Sequence, residues 1–451
     1  MNRTLILPRA IMTMDARNTV VQGGAIAVEN DAIARVLTPE DLRGVQRDAW
    51  HVVDAPGLVA IPGFIQTHIH LCQTLFRGLA EDLELLDWLQ GRIFPFEAAH
   101  SPSSMYASAR IGLAELIRSG TTTIMDMGSV HHEEDVVRAV SESGIRAFLG
   151  KALMDVNEMY PLLKEDTDAA ITSAHRQAEQ WHGSANGRIR YAVAPRFILS
   201  CSDALLKEAH AMTRAFPGML FHTHASENRH EREAVRKRCG MDNVEYFDLL
   251  GILNHVTCLA HCVWLNDHEV DLMAQAQAKV LHCPSSNLKL GSGIADIPRY
   301  LERGIPVSLG ADGAPCNNTL DMFQEMRLAA LIQKPVHGPT AMRALDVLRL
   351  ATMGGAAALG IATEAGSIEP GKKADIVLLD LTKYWNAPQT LDAESIAGNI
   401  VHTGNPDNVS AVMVDGVWLY REGMHRTLDL PRTVEAARTE LASLLTRIQT
   451  S

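Results

Sequence analysis

The side chains best suited to chemistry in this sequence are histidines and carboxylates that end apolar runs. His68 and His70 end the stretch PGFIQTHIHL, and alternate residues of a strand project from one face, so the two rings point the same way. Alone, this pair fits two strand histidines or half a metal site. Similar residues end later apolar runs, namely His222 and His224, His261, His282 and Cys283, and Asp312. Nitrogen and oxygen donors gathered in this way predict a divalent metal site, suited to Zn and also tolerated by Fe or Mn.

The elements that must position these residues are short β-rich runs alternating with amphipathic helical stretches between residues 59 and 361. The predicted strands are LVAIPGFI, GTTTIMD, IRAFLG, IRYAVAP, GMLFHTHA, HVTCLAH, AKVLHC and IPVSLGAD. Eight strands separated by helices over about 300 residues predict an α/β fold, a (β/α)8 TIM barrel. In such a barrel the carboxyl ends of the strands open at one mouth, where the polar residues meet.

The two ends of the chain differ from the middle in pattern. Residues 1–58 and 362–451 contain alternating runs around Gly or Pro-Gly turns, such as GSIEPGKKADIVLLDL and VSAVMVDGVWLYREG, which predict strand pairs. Neither end is long enough for a sheet domain of its own, so the sequence predicts a small composite β-sandwich built from both. The last stretch, PRTVEAARTELASLLTRIQTS, predicts an amphipathic packing helix.

The bulk composition excludes several classes of function. The chain has 451 residues and a formal net charge of −12, which argues against a nucleic-acid partner. No apolar run reaches membrane-spanning length, and Pro8 interrupts the short N-terminal run, which argues against a membrane anchor or signal peptide. Seven cysteines without regular spacing predict reduced thiols and a cytoplasmic location.

Several longer motifs resemble one known group of enzymes. The segments PGFIQTHIHL, HTHASE, LAHCVWL, CPSSNLKLGSGIADIP and LGADGAPCNNTLDMFQEMRLAAL resemble the amidohydrolase superfamily. The resemblance covers essentially the whole chain. It is strongest to the branch of S-adenosylhomocysteine, methylthioadenosine and 5'-deoxyadenosine deaminases, with triazine hydrolases and guanine deaminase as relatives. It also implies a homo-oligomer.

The resemblance implies a role for each motif residue. The metal ligands would be His68, His70, His224 and Asp312, with His224 selected over His222 by the family's His-x-x-Glu spacing. It leaves His222 a structural role. Glu227 would be the proton shuttle, and His261 would hydrogen-bond the metal-bound water.

The implied chemistry suits these residue types. A metal lowers the pKa of bound water from about 15.7 to about 7, and Asp312 and His261 would orient the resulting hydroxide and take its proton. Glu227 would protonate the ring nitrogen beside the attacked carbon and then the departing ammonia. Chloride needs no such acid, so Glu227 favours deamination over dechlorination.

The substrate-binding residues predict two different substrates. Trp88 and Glu97 lie where adenosine-type deaminases of this group place an aromatic wall and a ribose-binding carboxylate. In contrast, Arg196 and Phe197, in the segment APRFILSCS, resemble guanine deaminases, in which such a pair holds the purine; Gln73 is a weaker match of the same kind. We expect a purine nucleoside as the substrate. No arginine pair suits the carboxylate of S-adenosylhomocysteine, so a short 5' group is favoured.

Two polar segments and three alternative functions complete the sequence-based predictions. The segment SVHHEED is expected to be a loop and helix start at the barrel mouth, with His131 touching substrate, rather than a second metal site. The segment SSNLKLGSG is expected to be an active-site loop. The alternatives to a nucleoside deaminase are a free-base deaminase of guanine or pterin type, a triazine amino- or chlorohydrolase, and a non-catalytic scaffold.

Overall fold

The computed structural model describes residues 3–158 and 160–450. Its contacts divide the chain into two compact units. The first comprises Met1–Gln66, Ala114–Thr123 and Asp321–Asp429, and the second comprises Thr67–Leu113, Ile124–Leu320 and Leu430–Ser451. The domain boundaries predicted from the sequence stay a prediction.

The described part of the chain contains two β-sheets and many helices. The strands are β1 (Arg3–Met12), β2 (Val20–Gln22), β3 (Ala25–Glu29), β4 (Ala32–Leu37), β5 (His51–Pro62), β6 (Phe64–His70), β7 (Thr121–Met127), β8 (Arg146–Gly150), β9 (Ala152–Leu153), β10 (Ile189–Pro195), β11 (Leu220–Ala225), β12 (Thr257–His261), β13 (Lys279–His282), β14 (Val307–Leu309), β15 (Asp312–Gly313), β16 (Ile376–Leu379), β17 (Val409–Val414), β18 (Val417–Arg421) and β19 (Met424–His425). The α-helices are α1 (Pro39–Leu42), α2 (Leu85–Trp88), α3 (Phe94–Ala98), α4 (Pro102–Arg118), α5 (Glu133–Ser143), α6 (Thr167–Trp181), α7 (Asp203–Met212), α8 (Arg229–Cys239), α9 (Asn243–Leu249), α10 (Asp267–Ala276), α11 (Pro284–Lys289), α12 (Ile297–Glu302), α13 (Ala314–Asn317), α14 (Met322–Ile332), α15 (Lys334–His337), α16 (Ala344–Arg349), α17 (Gly355–Ala358), α18 (Ala393–His402) and α19 (Leu430–Thr450).

The ten-stranded sheet carries the predicted site. Its strand order is β14-β13-β12-β11-β10-β8-β7-β6-β15, with β9 paired to β10. Strands β10 to β14 pair in parallel with their neighbours, and so do β15 and β6. The strands at the two ends of this order, β14 and β15, are separated in the chain only by Gly310 and Ala311. The sheet is therefore a curled, parallel, barrel-like sheet, and the predicted α/β class is confirmed.

The first predicted strand, LVAIPGFI, is wrong as a single element, because the chain changes sheets at Gly63. Strand β5 runs to Pro62 and pairs with β16, whereas β6 begins at Phe64. The Gly63 N–H donates to the Asp375 carbonyl and the Phe64 N–H donates to the Gly120 carbonyl, both over 3.0 Å. A Cβ on Gly63 would lie 2.1 Å from the side chain of Thr122, so the crossing point accepts only glycine without a shift.

The nine-stranded sheet contains strands from both ends of the chain. Its order is β19-β18-β17-β16-β5-β1-β3-β4, with β2 paired to β1. Its core includes the fully buried Ile6, Ile26 and Ile376. The predicted hairpin at VMVDGVWL is confirmed: Asp415 and Gly416 have φ angles of 47° and 74°, as a two-residue turn between β17 and β18 requires.

The segment GSIEPGKKADIVLLDL was predicted to contain a strand pair and contains one strand, β16. Its first half turns at Pro370 and Gly371, and it meets the β4 region through the isolated bridge between Ala32 and Lys373 and a few neighbouring backbone hydrogen bonds. Proline has no N–H group to donate to a β-ladder. The turn at this position therefore leaves the segment with one strand instead of two.

The C-terminal stretch forms helix α19, as predicted, and it packs within the second unit, of which it is part. Leu444 is fully buried in a cluster that also contains Phe76 and Phe96. The Arg447 Nε donates to the Ala99 carbonyl over 2.7 Å. None of the described helices has the length and apolarity that a bilayer-spanning segment requires. All seven cysteines are free thiols.

Candidate active site

Four side chains from three parts of the barrel-like sheet converge on one point. His68 and His70 end β6, His224 lies on β11, and Asp312 begins β15, where it pairs with Ile69 of β6. The Asp312 Oδ1 lies 3.5 Å from the Nε2 of His68 and 3.3 Å from the Nε2 of His70. The Nε2 atoms of His70 and His224 are 3.3 Å apart. The structure thus brings the four predicted metal ligands together.

The backbone around this point is unusual at several positions. His261 and Asp312 have φ angles of 72° and 62°, in the left-handed region that non-glycine residues rarely adopt. Such conformations cluster at functional sites, because the surrounding fold must hold them in place. At Gly310 a Cβ would lie 2.6 Å from the His68 carbonyl oxygen. Glycine therefore permits the chain between β14 and β15 to approach His68 closely.

The outer ring nitrogens of two histidines are fixed by backbone carbonyls. The Nδ1 of His70 lies 2.7 Å from the Met127 carbonyl oxygen, and the Nδ1 of His224 lies 2.7 Å from the Arg196 carbonyl oxygen. A carbonyl can only accept, so each Nδ1 carries the proton and each Nε2 offers a lone pair to the centre.

Two further residues, which the sequence interpretation missed, orient His261 and Asp312. The Nδ1 of His261 lies 2.9 Å from the Oδ1 of Asn287, and Ser286 donates to the Asp312 Oδ2 over 2.6 Å. Both belong to SSNLKLGSG, the segment predicted as an active-site loop. Its position at the site is as expected, but the loop assignment is wrong for its first part, because Pro284–Lys289 forms helix α11. Proline at the first helical turn, with Leu288 and Lys289 in the second, favours this helix.

The donor set and its surroundings fit a divalent cation. Burial lowers the pKa of His68 and, together with His68, lowers the pKa of His70 to about 4, so both rings are neutral and able to bind a metal. The Nε2 atoms of His68 and His261 are buried and make no hydrogen bond to any described residue. The ligand atoms of His68, His70 and Asp312 lie within 4.8 Å of one another, and so do those of His68, His224 and His261.

A buried carboxyl group stands beside these ligands. The Glu227 Oε2 lies 3.4 Å from the His261 Nε2, and the residue is 5% exposed. Burial, with the nearby charge of Asp312, raises the pKa of Glu227 well above its ordinary value, which favours its protonated form at neutral pH. The opposite holds for Asp312: burial would raise its pKa, but His68, His261 and His70 outweigh burial and hold it well below the ordinary value.

A cavity with about 380 Å³ of empty space opens onto three of the predicted ligands and Glu227; the three are His70, His224 and Asp312. This space includes open solvent at the cavity mouth. Beyond the ligands and Glu227, its walls include His261 and the following residues: Gln73, Leu85, Trp88, Leu89, Arg196 and Phe197. The apolar and aromatic walls suit a flat heterocycle, and the polar groups lie at its edge.

Trp88 reaches this cavity from an irregular helical segment. Helix α2 begins after Glu84, whose side chain accepts from the Leu86 N–H over 3.3 Å, and it ends at Trp88. A π-helical turn, Leu89–Ile93, follows and leads into α3. Single π turns of this kind often re-aim side chains at functional sites. The indole Nε1 of Trp88 is buried and has no hydrogen-bond partner in the described part of the chain.

Glu97 and Arg196 form a buried ion pair at the edge of the cavity. Glu97 accepts hydrogen bonds from Arg196 over 2.8 and 3.1 Å and from the Gln73 Nε2 over 2.8 Å. Arg196 and Gln73 line the cavity, whereas Glu97 is not among the lining residues. The structure therefore brings Glu97 to Arg196, which the sequence interpretation had treated as pointing to a different substrate.

The polar segment SVHHEED lies at the start of α5. His131 is exposed, its Nε2 lies 3.0 Å from the Leu162 carbonyl oxygen, and it does not line the cavity. His132, Glu134 and Asp135 have ligand atoms within 4.8 Å of one another. Asp135 also lies 3.0 Å from the Arg138 guanidinium, so the cluster is explained by the helix start and needs no second metal.

Residues 59–419 match the Amidohydrolase family. The chain belongs to this family. The family predicted from the motifs is confirmed, and the motif residues are those that meet at the centre described above.

Individual relatives are similar along nearly their whole length. A 5'-deoxyadenosine deaminase of Methanothermobacter thermautotrophicus is 40% identical over 433 residues, which is 94% of this chain and 95% of the relative. A 5-methylthioadenosine/S-adenosylhomocysteine deaminase of Syntrophomonas wolfei is 34% identical over 445 residues, 98% of this chain and 99% of the relative. Among solved structures, an adenosine deaminase from Xanthomonas campestris with bound zinc has a TM-score of 0.90 at 29% identity, covering 99% of both chains.

Proposed function

We propose that this amidohydrolase removes the 6-amino group of an adenosine-type nucleoside by hydrolysis, releasing ammonia and the inosine analogue. The substrates considered are 5'-deoxyadenosine, methylthioadenosine, adenosine and S-adenosylhomocysteine, and a short 5' group is favoured. The observation that carries the proposal is the buried carboxyl group of Glu227, whose Oε2 lies 3.4 Å from the His261 Nε2 at the edge of the ligand cluster. Full-length relatives with deaminase names support it.

One divalent metal would be held by His68, His70, His224 and Asp312 in each subunit. We infer zinc, with iron or manganese as alternatives, because three neutral imidazoles and one carboxylate suit these ions. When bound, such an ion supplies a nucleophile at neutral pH by lowering the pKa of water.

The chain's own residues then handle the protons. Asp312, ionised in the buried site, and His261 orient the attacking water and accept its proton. Glu227, whose pKa burial raises, donates its proton to the ring nitrogen next to the attacked carbon. The protons released by the attacking water then restore Glu227 and protonate the leaving amino group, which departs as ammonia. General acid catalysis is needed here because the amide anion is a very poor leaving group.

Substrate recognition would use the remaining walls of the cavity. Trp88 and Phe197 would face the purine ring, and Arg196 would donate to an acceptor atom on its edge. Glu97 remains our candidate for the ribose hydroxyls, with His131 at the mouth. Because Glu97 already accepts from Arg196, ribose binding requires that these bonds be shared or exchanged when the nucleoside enters.

For the architecture, we infer a (β/α)8 TIM barrel at residues 59–361 and a composite β-sandwich with C-terminal helix from residues 1–58 and 362–451. The curled parallel sheet and the second sheet, which contains strands from both chain ends, support the division into two sheets. Helix α19, however, groups by its contacts with the second unit. We also infer a cytoplasmic homo-oligomer whose partner is a small purine nucleoside, not nucleic acid or membrane.

A second candidate is a free-base deaminase of guanine or pterin type. It is favoured by one observation: Arg196, Phe197 and Gln73 all line the cavity. Triazine dechlorination has no comparable support, because chloride departure gives Glu227 no task.

Ammonia release from a substrate panel separates these functions. The zinc-loaded protein is assayed with the four nucleosides, with guanine, with a pterin and with a chlorotriazine. We expect turnover of nucleosides, highest for 5'-deoxyadenosine or methylthioadenosine. Turnover of guanine or the pterin alone would replace the first function by the second.

A further inference from the structure

His222 is a buried histidine that the proposed mechanism does not use. It lies on β11 two residues before His224 and is 0% exposed. Its Nε2 lies 2.8 Å from the Nδ1 of His68, and the two rings meet edge to face at 89°, with centroids 4.9 Å apart. This distance and arrangement are those of a direct imidazole–imidazole hydrogen bond.

His68 differs in this respect from the other predicted histidine ligands. The Nδ1 atoms of His70 and His224 contact backbone carbonyls, which can only accept a hydrogen bond. An imidazole nitrogen can donate or accept, depending on where its proton lies. The ring position and tautomer of His68 therefore depend on a side chain, and that side chain can be replaced without altering the backbone.

We propose that His222 is a positioning residue for the metal centre, which holds His68 through an Nδ1–H···Nε2 hydrogen bond. This inference rests on the proposed metal-dependent function. If the Nε2 of His68 binds the cation, its proton must lie on Nδ1 and be donated to His222. A neutral His222 that accepts at Nε2 carries its own proton on Nδ1. The hydrogen bond to His222 thus holds the His68 ring with its Nε2 toward the centre.

Zinc affinity tests this role without relying on turnover. The dissociation constant of zinc is measured by competition with a chromophoric chelator for the wild-type protein and for His222→Phe, which keeps a ring of similar size but cannot accept. Loss of a residue that orients a metal ligand typically weakens binding by about 10- to 100-fold, and we expect a loss of that size. His222→Gln, which restores an acceptor oxygen, should recover part of the affinity.

His282→Phe is the matched control. His282 is also a 0% exposed histidine on a strand of the same sheet, and neither of its ring nitrogens has a hydrogen-bond partner among the described residues. We expect the zinc affinity of the His282→Phe protein to equal that of the wild type. An equal loss in both variants would overturn the proposal, because it would show general damage to the core.

A measurement on the wild-type protein covers the case in which His222 variants do not fold. Nuclear magnetic resonance of the zinc-loaded protein, labelled with ¹⁵N in histidine, should show a nitrogen–nitrogen coupling across an imidazole–imidazole hydrogen bond. Protonation of His222 at Nε2 instead of Nδ1 would overturn the proposal. A wild-type protein that binds no divalent metal would contradict the proposed function itself, whereas normal zinc binding by His222→Phe would contradict only the role of His222.

Discussion

The guanidinium of Arg196 donates two hydrogen bonds to the carboxylate of Glu97, and their side chains are only 3% and 0% exposed. Burial alone would raise the pKa of Glu97, but the charge and hydrogen bonds of Arg196 outweigh burial and leave this pKa lowered. The pair is therefore ionised inside the protein. It joins Arg196, which lines the cavity, to a residue that lies 99 positions away in the chain.

Replacing Glu97 by Gln should destabilise the protein strongly. The change leaves the Arg196 charge buried without its partner, and breaking a buried pair in this way costs about 3–5 kcal/mol. The double variant Glu97→Leu/Arg196→Met removes both charges and should lose less stability than Glu97→Gln. Urea unfolding followed by circular dichroism measures the difference. Equal stability of Glu97→Gln and the wild type would show that the ion pair contributes nothing to the free energy of unfolding.

The same substitution tests the predicted ribose contact. If Glu97 accepts ribose hydroxyls, Glu97→Gln should lower kcat/KM for 5'-deoxyadenosine by at least about tenfold, since a hydrogen bond to a charged group contributes about 1.5–3 kcal/mol. Glu81→Gln, at a residue paired with Lys289 at the surface, is the control and should behave as the wild type. Unchanged kcat/KM for the nucleoside in Glu97→Gln would contradict ribose binding by Glu97.

The buried Glu231 should make the free energy of unfolding depend on pH. Burial raises its pKa to about 8, with one oxygen accepting from the Asn243 Nδ2 over 2.5 Å. Because the folded state holds this proton more tightly than the unfolded state, the stabilisation is complete below the ordinary glutamate pKa and is lost as pH rises to about 8.

Glu231→Gln imitates the protonated acid and should remove this loss. The stability of the variant relative to the wild type should therefore rise between pH 5 and pH 8, by at most about 1.4 kcal/mol per pH unit. Paired thermal unfolding curves at several pH values check this. A constant difference across the range would show that Glu231 titrates normally.

Removal of metal should abolish activity and lower thermal stability together. A ligand that binds only the folded state stabilises it, so the chelated protein should unfold at a lower temperature than the zinc-loaded protein. Adding zinc back should restore both properties, whereas Mg²⁺, which prefers an all-oxygen octahedral site, should restore neither. Full activity after complete chelation would exclude a metal-dependent reaction.

The proximity of the proposed ligand side chains could be predicted because strand alternation and the topology of a parallel barrel set it. Strand alternation sets His68 and His70 on one face, and a parallel barrel brings strand ends such as Asp312 to the same mouth. The ion pair between Glu97 and Arg196 could not be read in this way, because it depends on how an irregular segment around a π turn packs against a distant strand.

Other differences have equally specific physical causes. The strand break at Gly63 depends on a close approach to Thr122, and spacing along the chain does not reveal such tertiary contacts. His131 was expected near substrate, yet its ring turns to the Leu162 carbonyl at the surface, so a substrate contact remains a prediction. The sequence interpretation missed the orienting roles of Asn287 and Ser286. Their position in a polar segment directly after β13, at the predicted barrel mouth, could have indicated these roles.

The most direct test of the account is ammonia release from 5'-deoxyadenosine by zinc-loaded Glu227→Gln, with metal content measured on the same sample. Removing a positioned general acid typically costs about 10²- to 10⁴-fold, so kcat should fall by that much while zinc stays bound. Glu231→Gln, the same change at a buried glutamate four residues further on, should keep its activity. Near-normal ammonia release by zinc-loaded Glu227→Gln would contradict the assignment of Glu227 as the proton shuttle and, with it, the proposed mechanism.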